Sequence, residues 1–131
     1  MSLGTRLLDS IKSAETLATY GLSTTVADAR FAKPVDTNLI TKLAKEHEIL
    51  VSVEEGSIGG FSAQVMSYLT KEGLLDNGLK FRPLFFPDIF VPHGKPDAQN
   101  ELCGINSNQI TNCVLKALGL PTVSKETRET A

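Results

Sequence analysis

The sequence predicts an α/β domain whose mostly parallel sheet is covered by helices on both faces, and three observations carry that expectation. Segments with helical apolar spacing alternate with short apolar runs, which is the order of a parallel sheet with crossover helices. The run Ile49-Leu-Val-Ser-Val53 is nearly all apolar, as in a strand covered on both sides. It leads into Val51-Ser-Val-Glu-Glu-Gly-Ser-Ile-Gly-Gly-Phe61, where a strand ends in two carboxylates, turns on three glycines and opens a helix. Such an edge is where α/β proteins place ligands or partner chains.

Met1-Ser-Leu-Gly-Thr5 reads as the end of an opening strand that has been cut short. From Arg6 to Tyr20, Leu7, Leu8, Ile11, Ala14, Leu17 and Ala18 recur at helical spacing, and Gly21 follows where a left-handed cap is wanted. Leu22 to Asp28 is β-branched and is expected to be a strand. Asp36 caps a second helix with Leu39, Ile40, Leu43 and Ala44 facing inward and Lys42, Lys45 and Glu46 facing water. After Ile49–Val53, expected to be central, a third helix buries Phe61, Val65, Met66 and Leu69 and ends in the turn residues Gly73 to Gly78. Lys80 to Phe86 is a strand in which Pro83 cannot donate to a ladder, which points to an edge or a bulge. A proline-punctuated loop from Pro87 to Ala98 leads to a short helical turn and a last helix from about Ser107 to Leu118, with Ile110, Val114, Leu115 and Leu118 inside. Residues 1–120 thus read as one domain and 121–131 as a polar tail expected to fray.

At 131 residues and 41% hydrophobic content, the chain can bury roughly 65–70% of its unfolded surface, enough for one core. A net charge of −2 with interspersed signs offers no footprint for nucleic acid or an anionic membrane. No run is long and apolar enough to span a bilayer, and two cysteines without a secretory signal fit a reducing, cytoplasmic setting.

The candidate residues carry little chemistry of their own. Glu54 and Glu55 are neighbours on a strand, so they start toward opposite faces and cannot form a paired-carboxylate site; each is either solvated, structurally paired or turned to a neighbouring subunit. Gly56, Gly59 and Gly60 could free backbone N–H groups for an anion at a helix start or could serve the turn and close packing alone. Their spacing matches neither the dinucleotide fingerprint nor the P-loop. His47 reads as a surface residue in a helix's last turn. His93, on the constrained Val91-Pro-His-Gly94 loop, lacks a partnering acid or nucleophile in the sequence. Cys103 and Cys113 have no zinc spacing. Phe85, Phe86 and Phe90 concentrate aromatics on one loop, which points to docking on the domain's own core or on another chain.

Three segments, Asp28-Ala-Arg-Phe-Ala-Lys-Pro-Val-Asp36, Val51 to Phe61 and Phe86-Pro-Asp-Ile-Phe-Val-Pro-His-Gly94, resemble in order and spacing the C-terminal domain of the 1-deoxy-D-xylulose-5-phosphate synthase family. Leu3-Gly-Thr-Arg6 looks like the end of that domain's first strand, and the wording is most similar to the alphaproteobacterial versions. The first two motifs are shared more loosely with transketolase and the β subunit of 2-oxoacid dehydrogenases.

The resemblance implies a three-layer domain with a five-stranded, mostly parallel sheet. It implies a bacterial cytoplasmic parent that uses thiamine diphosphate and Mg2+, both held by preceding domains, and that works as a homodimer. This chain would then be inactive alone, with no catalytic, cofactor-binding or metal residues. Glu54, Glu55, Gly56, Gly59, Gly60, Phe86, Phe90 and His93 would form an interface or structural edge toward the preceding domains and the second subunit. The other reading is a freestanding α/β binding or regulatory domain that takes a small anion at the glycine turn.

Overall fold

The computed structural model describes residues 1–123. A 3-10 turn at Gly4–Arg6 enters α1 (Leu7–Thr19), followed by α2 (Thr37–Glu46), β1 (Ile49–Ser57), α3 (Phe61–Lys71), β2 (Lys80–Phe86), α4 (Pro96–Cys103) and α5 (Ser107–Ala117). The expected α/β layering is present. β1 and β2 are parallel, in register from Ile49 opposite Lys80 to Val53 opposite Leu84, with a slip before Ser57 meets Phe86. Ser2 bridges both Asp28 and Val53 in the parallel sense, which places Met1–Leu3 between the 28 segment and β1. β1 is therefore central, as its apolar run demands.

Alternation along β1 divides the core in two. On one side Leu50 packs with Phe81, with Ile40 and Leu43 of α2 and with Phe61, Val65 and Leu69 of α3. On the other Val53 packs with Cys103, Ile105 and Ile110, and half-buried Val51, Leu84 and Phe86 close around them. Each large apolar side chain so buried contributes about 1.5–3 kcal/mol. The caps follow the sequence: Asp36 Oδ1 accepts the Leu39 N–H at 2.9 Å, and Gly21 takes a φ of 75° after α1.

Several details depart from expectation. Leu22 to Asp28 is not a continuous strand; one bridge at Asp28 is its share of the sheet. β propensity needs a paired neighbour to be expressed, and Met1 to Leu3 reaches only Ala27 and Ala29. The two continuous strands and the bridged segments at Ser2 and Asp28 stand where five strands were expected. In α1 the buried line is Ser13 and Leu17, whereas Leu8, Ile11 and Ala18 are exposed. This helix packs chiefly on α5, where the Ser13 and Thr111 hydroxyls meet at 2.9 Å in the interior. Met66 is exposed, since Phe61, Val65 and Leu69 at four-residue spacing already fill the inward line of α3. His47 is half-buried rather than superficial: its Nδ1 lies 3.0 Å from the Leu43 carbonyl and its Nε2 2.8 Å from the Thr25 hydroxyl. With Nδ1–H donating to the carbonyl, Nε2 accepts from Thr25, tying the 22–28 segment to α2. Pro83 sits on β2, which pairs only with β1 among the described residues.

The Met1 amino group is enclosed and donates to the Val51 carbonyl at 2.7 Å. Burial pushes its pKa down from 8.0 to about 6. The unfolded chain then binds more protons than the folded one across this window, so stability rises with pH from about 6 to about 8, by roughly 2–3 kcal/mol. Urea unfolding of the polypeptide starting at Met1, measured at pH 6 and pH 8, should show this rise, and Nα-acetylation should flatten it.

Candidate functional site

The glycine turn between β1 and α3 is built around Glu54. Even-numbered positions of β1 face α3, so Ser52 donates its hydroxyl hydrogen to the Ser62 hydroxyl at 3.0 Å, and Glu54 two residues later enters the space before the helix. Its Oε2 accepts the Phe61 N–H at 2.8 Å and its Oε1 the Ser62 N–H at 3.0 Å. The N-cap residue Gly60 has no side-chain oxygen to offer; Glu54 supplies the missing acceptors from across the turn, where a negative charge also complements the helix dipole. Its carboxylate is buried with the turn wrapped around it.

That carboxylate explains two of the glycines. A Cβ on Gly56 would lie 2.8 Å from Glu54 Oε2, and one on Gly60 would lie 2.7 Å from the same oxygen and 3.2 Å from the Ser57 carbonyl. Gly59 is needed for a different reason, a φ of +93° that side chains with a Cβ rarely adopt. The anion-ready helix start anticipated from the glycines is thus occupied by the chain's own carboxylate.

Glu55 points to the opposite face, as adjacency on a strand requires. Its Oε1 lies 2.9 Å from Arg6 Nε, a charge contact in which the N–H is not aligned for a hydrogen bond. Arg6 is buried and also donates through its terminal nitrogen to Asp9 Oδ2 at 2.7 Å. Asp9 Oδ1 in turn accepts the Ser107 N–H at 3.2 Å, at the start of α5. A chain of alternating charges therefore links the end of β1, the start of α1 and the start of α5. Sequence reading missed this network; Arg6 stood out only within Leu3 to Arg6, and nothing local marks a surface-type residue as buried.

The other predicted residues fall around the same end of the sheet. Ser57 pairs with Phe86, so the loop leaving β2 starts beside the glycine turn. Phe86 is half-buried against the α4–α5 core, whereas Phe90 is fully exposed and Ile89 and Ile58 are 59% and 65% exposed. His93 is exposed on this loop, whose Pro92 carbonyl accepts from Gln99 at 2.9 Å. The structure thus brings Glu54, Gly56 and Gly60 into one unit, sends Glu55 to a second, and leaves Phe90 and His93 in solvent. Cys103 and Cys113 are free thiols; burial pushes the Cys113 thiol pKa up, against the opposing pull of Arg82 and Lys116. No helix is long and apolar enough to cross a membrane among the described residues.

A solved structure described as "split gene transketolase, inactive beta4 tetramer" is similar to this chain, with 28% identity and a TM-score of 0.80. The match covers 91% of this chain and 38% of that one, so this chain spans well under half the length of that protein. Residues 1–110 match the family of transketolase C-terminal domains, and with that match over most of its length the chain belongs to the transketolase C-terminal domain family.

Proposed function

We propose that this chain is the C-terminal assembly module of a 1-deoxy-D-xylulose-5-phosphate synthase, a transferase that condenses pyruvate with glyceraldehyde 3-phosphate and releases CO2. The product feeds isoprenoid, thiamine and pyridoxal phosphate synthesis. The observation that carries the reading is the pairing of opposites at one end of the sheet. The polar groups of the turn are satisfied internally by Glu54, while Ile58, Ile89 and Phe90 stand bare beside it. A rigid frame presenting apolar side chains suits the covering of a second surface, from the preceding domains or a second subunit.

The described residues do not fit thiamine diphosphate or its metal: they form no cluster of three or more His, Cys, Asp or Glu placed to hold an ion, and the α3 N–H groups are already bonded. No step of the reaction is therefore assigned to this chain. The same saturation disfavours the freestanding anion-binding reading, which predicts that millimolar phosphate perturbs the Phe61 and Ser62 amides.

The test is to isolate the native polypeptide with an antibody against this domain. A mass several times 14.1 kDa together with conversion of pyruvate and glyceraldehyde 3-phosphate to 1-deoxy-D-xylulose 5-phosphate supports the assignment. A mass near 14.1 kDa, or a large polypeptide without that activity, refutes it. In the parent, Ile58→Asp with Phe90→Asp should weaken subunit or domain association at least about tenfold, read by sedimentation. The domain's own unfolding should shift by less than about 0.5 kcal/mol, since exposed positions contribute little to the fold.

A further inference from the structure

Between α1, α5, β1 and the 22–27 segment lies a cavity of about 220 Å³, lined by Leu17, Leu22, Val26, His47, Ile49 and Val51 among others, with Met1 at one end. Its walls are the flanks of two extended segments whose common neighbour stops short. Lys80 N–H donates to the Glu48 carbonyl, so the even positions of β1 serve β2 and the odd positions face away from it. On that side Val53 N–H reaches the Met1 carbonyl, and Leu3 N–H the Val53 carbonyl, each at 2.9 Å. Across the gap Ser2 N–H donates to Ala27 at 2.8 Å and Ala29 N–H to Ser2 at 2.9 Å. Both ladders are regular up to Met1 and then have nothing to continue on. Ala27 N–H has no acceptor among the described residues.

We propose that this cavity is the seat of an extended, largely apolar peptide strand that runs directly into Met1 in the native polypeptide and lies parallel to β1. The register is fixed by the bonds already made. Ala27 N–H would donate to the carbonyl of the residue immediately before Met1, and Val51 N–H to that of the residue two before it. The enclosed Met1 nitrogen, already aimed at the Val51 carbonyl, is then an ordinary amide in mid-strand. A drug-sized ligand fits less well, because pockets for such molecules run to roughly 300–1,000 Å³. The inference concerns the fold and holds whichever parent enzyme carries the domain.

Hydrogen exchange on the native polypeptide tests it with internal standards. The amides of Ala29 and Val53, bonded to Ser2 and Met1, set the reference. Ala27 and Val51 should exchange within about tenfold of them. Exchange at Ala27 and Val51 at least about a hundredfold faster than the reference overturns the proposal. So does a native polypeptide that begins at Met1, and so does protection that appears only when a separate polypeptide is added, since the strand would then come from a partner. Lack of synthase activity in the same polypeptide would refute the assignment above and leave this readout intact.

Discussion

Replacing Glu54 with alanine should cost the domain about 4 kcal/mol, a large share of the 5–15 kcal/mol typical of a folded domain. Two buried N–H groups at the start of α3, those of Phe61 and Ser62, lose their acceptors at 2.8 and 3.0 Å. No side chain of the N-cap residue can replace them. Each orphaned buried donor costs about 1–3 kcal/mol, and bonds to a charged acceptor sit at the upper end. The void left by the side chain adds to this. Glu54→Gln keeps a carbonyl acceptor for one N–H and should lose about half as much. Urea unfolding followed by far-UV circular dichroism is the measurement; a loss below about 1 kcal/mol for the alanine variant would show that water satisfies the helix start.

The second large effect is expected at Gly60. A valine there puts Cβ 2.7 Å from Glu54 Oε2 and 3.2 Å from the Ser57 carbonyl. The carboxylate could swing aside only by releasing its N–H partners, and the carbonyl belongs to the turn's backbone. We expect Gly60→Val to cost about 3 kcal/mol. In the parent enzyme it should weaken association more than it lowers turnover per assembled unit, because the turn carrying Ile58 must move. Retained subunit affinity in the variant would place the interface elsewhere. Coupling gives a sharper check: Gly60→Ala should be at least about 1 kcal/mol milder when Glu54 is already alanine, because the clashing oxygen is gone.

These two positions also show what the sequence made legible. The helix and strand order, the Asp36 cap and the central place of Ile49–Val53 follow from period and composition, which report burial directly. The opposite facing of Glu54 and Glu55 follows from strand geometry. Their partners do not. Glu54 finds the helix that starts seven residues later, and Arg6 joins Glu55 across nearly fifty residues of sequence; such pairings are set by tertiary packing and leave no local signal. The same holds for Leu8 and Ile11, whose spacing is helical but whose helix turns Ser13 to its neighbour instead. Leu22–Asp28 has the composition of a strand without a full ladder to join, a case of context overriding propensity.

Pro83 bears on how the domain behaves in concentrated solution. In the register of β2 the positions facing β1 are Lys80, Arg82 and Leu84, so Pro83 turns its donor-less nitrogen outward along the unpaired side of the strand. A strand approaching there from another molecule would meet a gap in the row of N–H groups, next to the exposed Arg82. Edge-to-edge stacking into sheet aggregates is thereby discouraged at the one continuous strand left open.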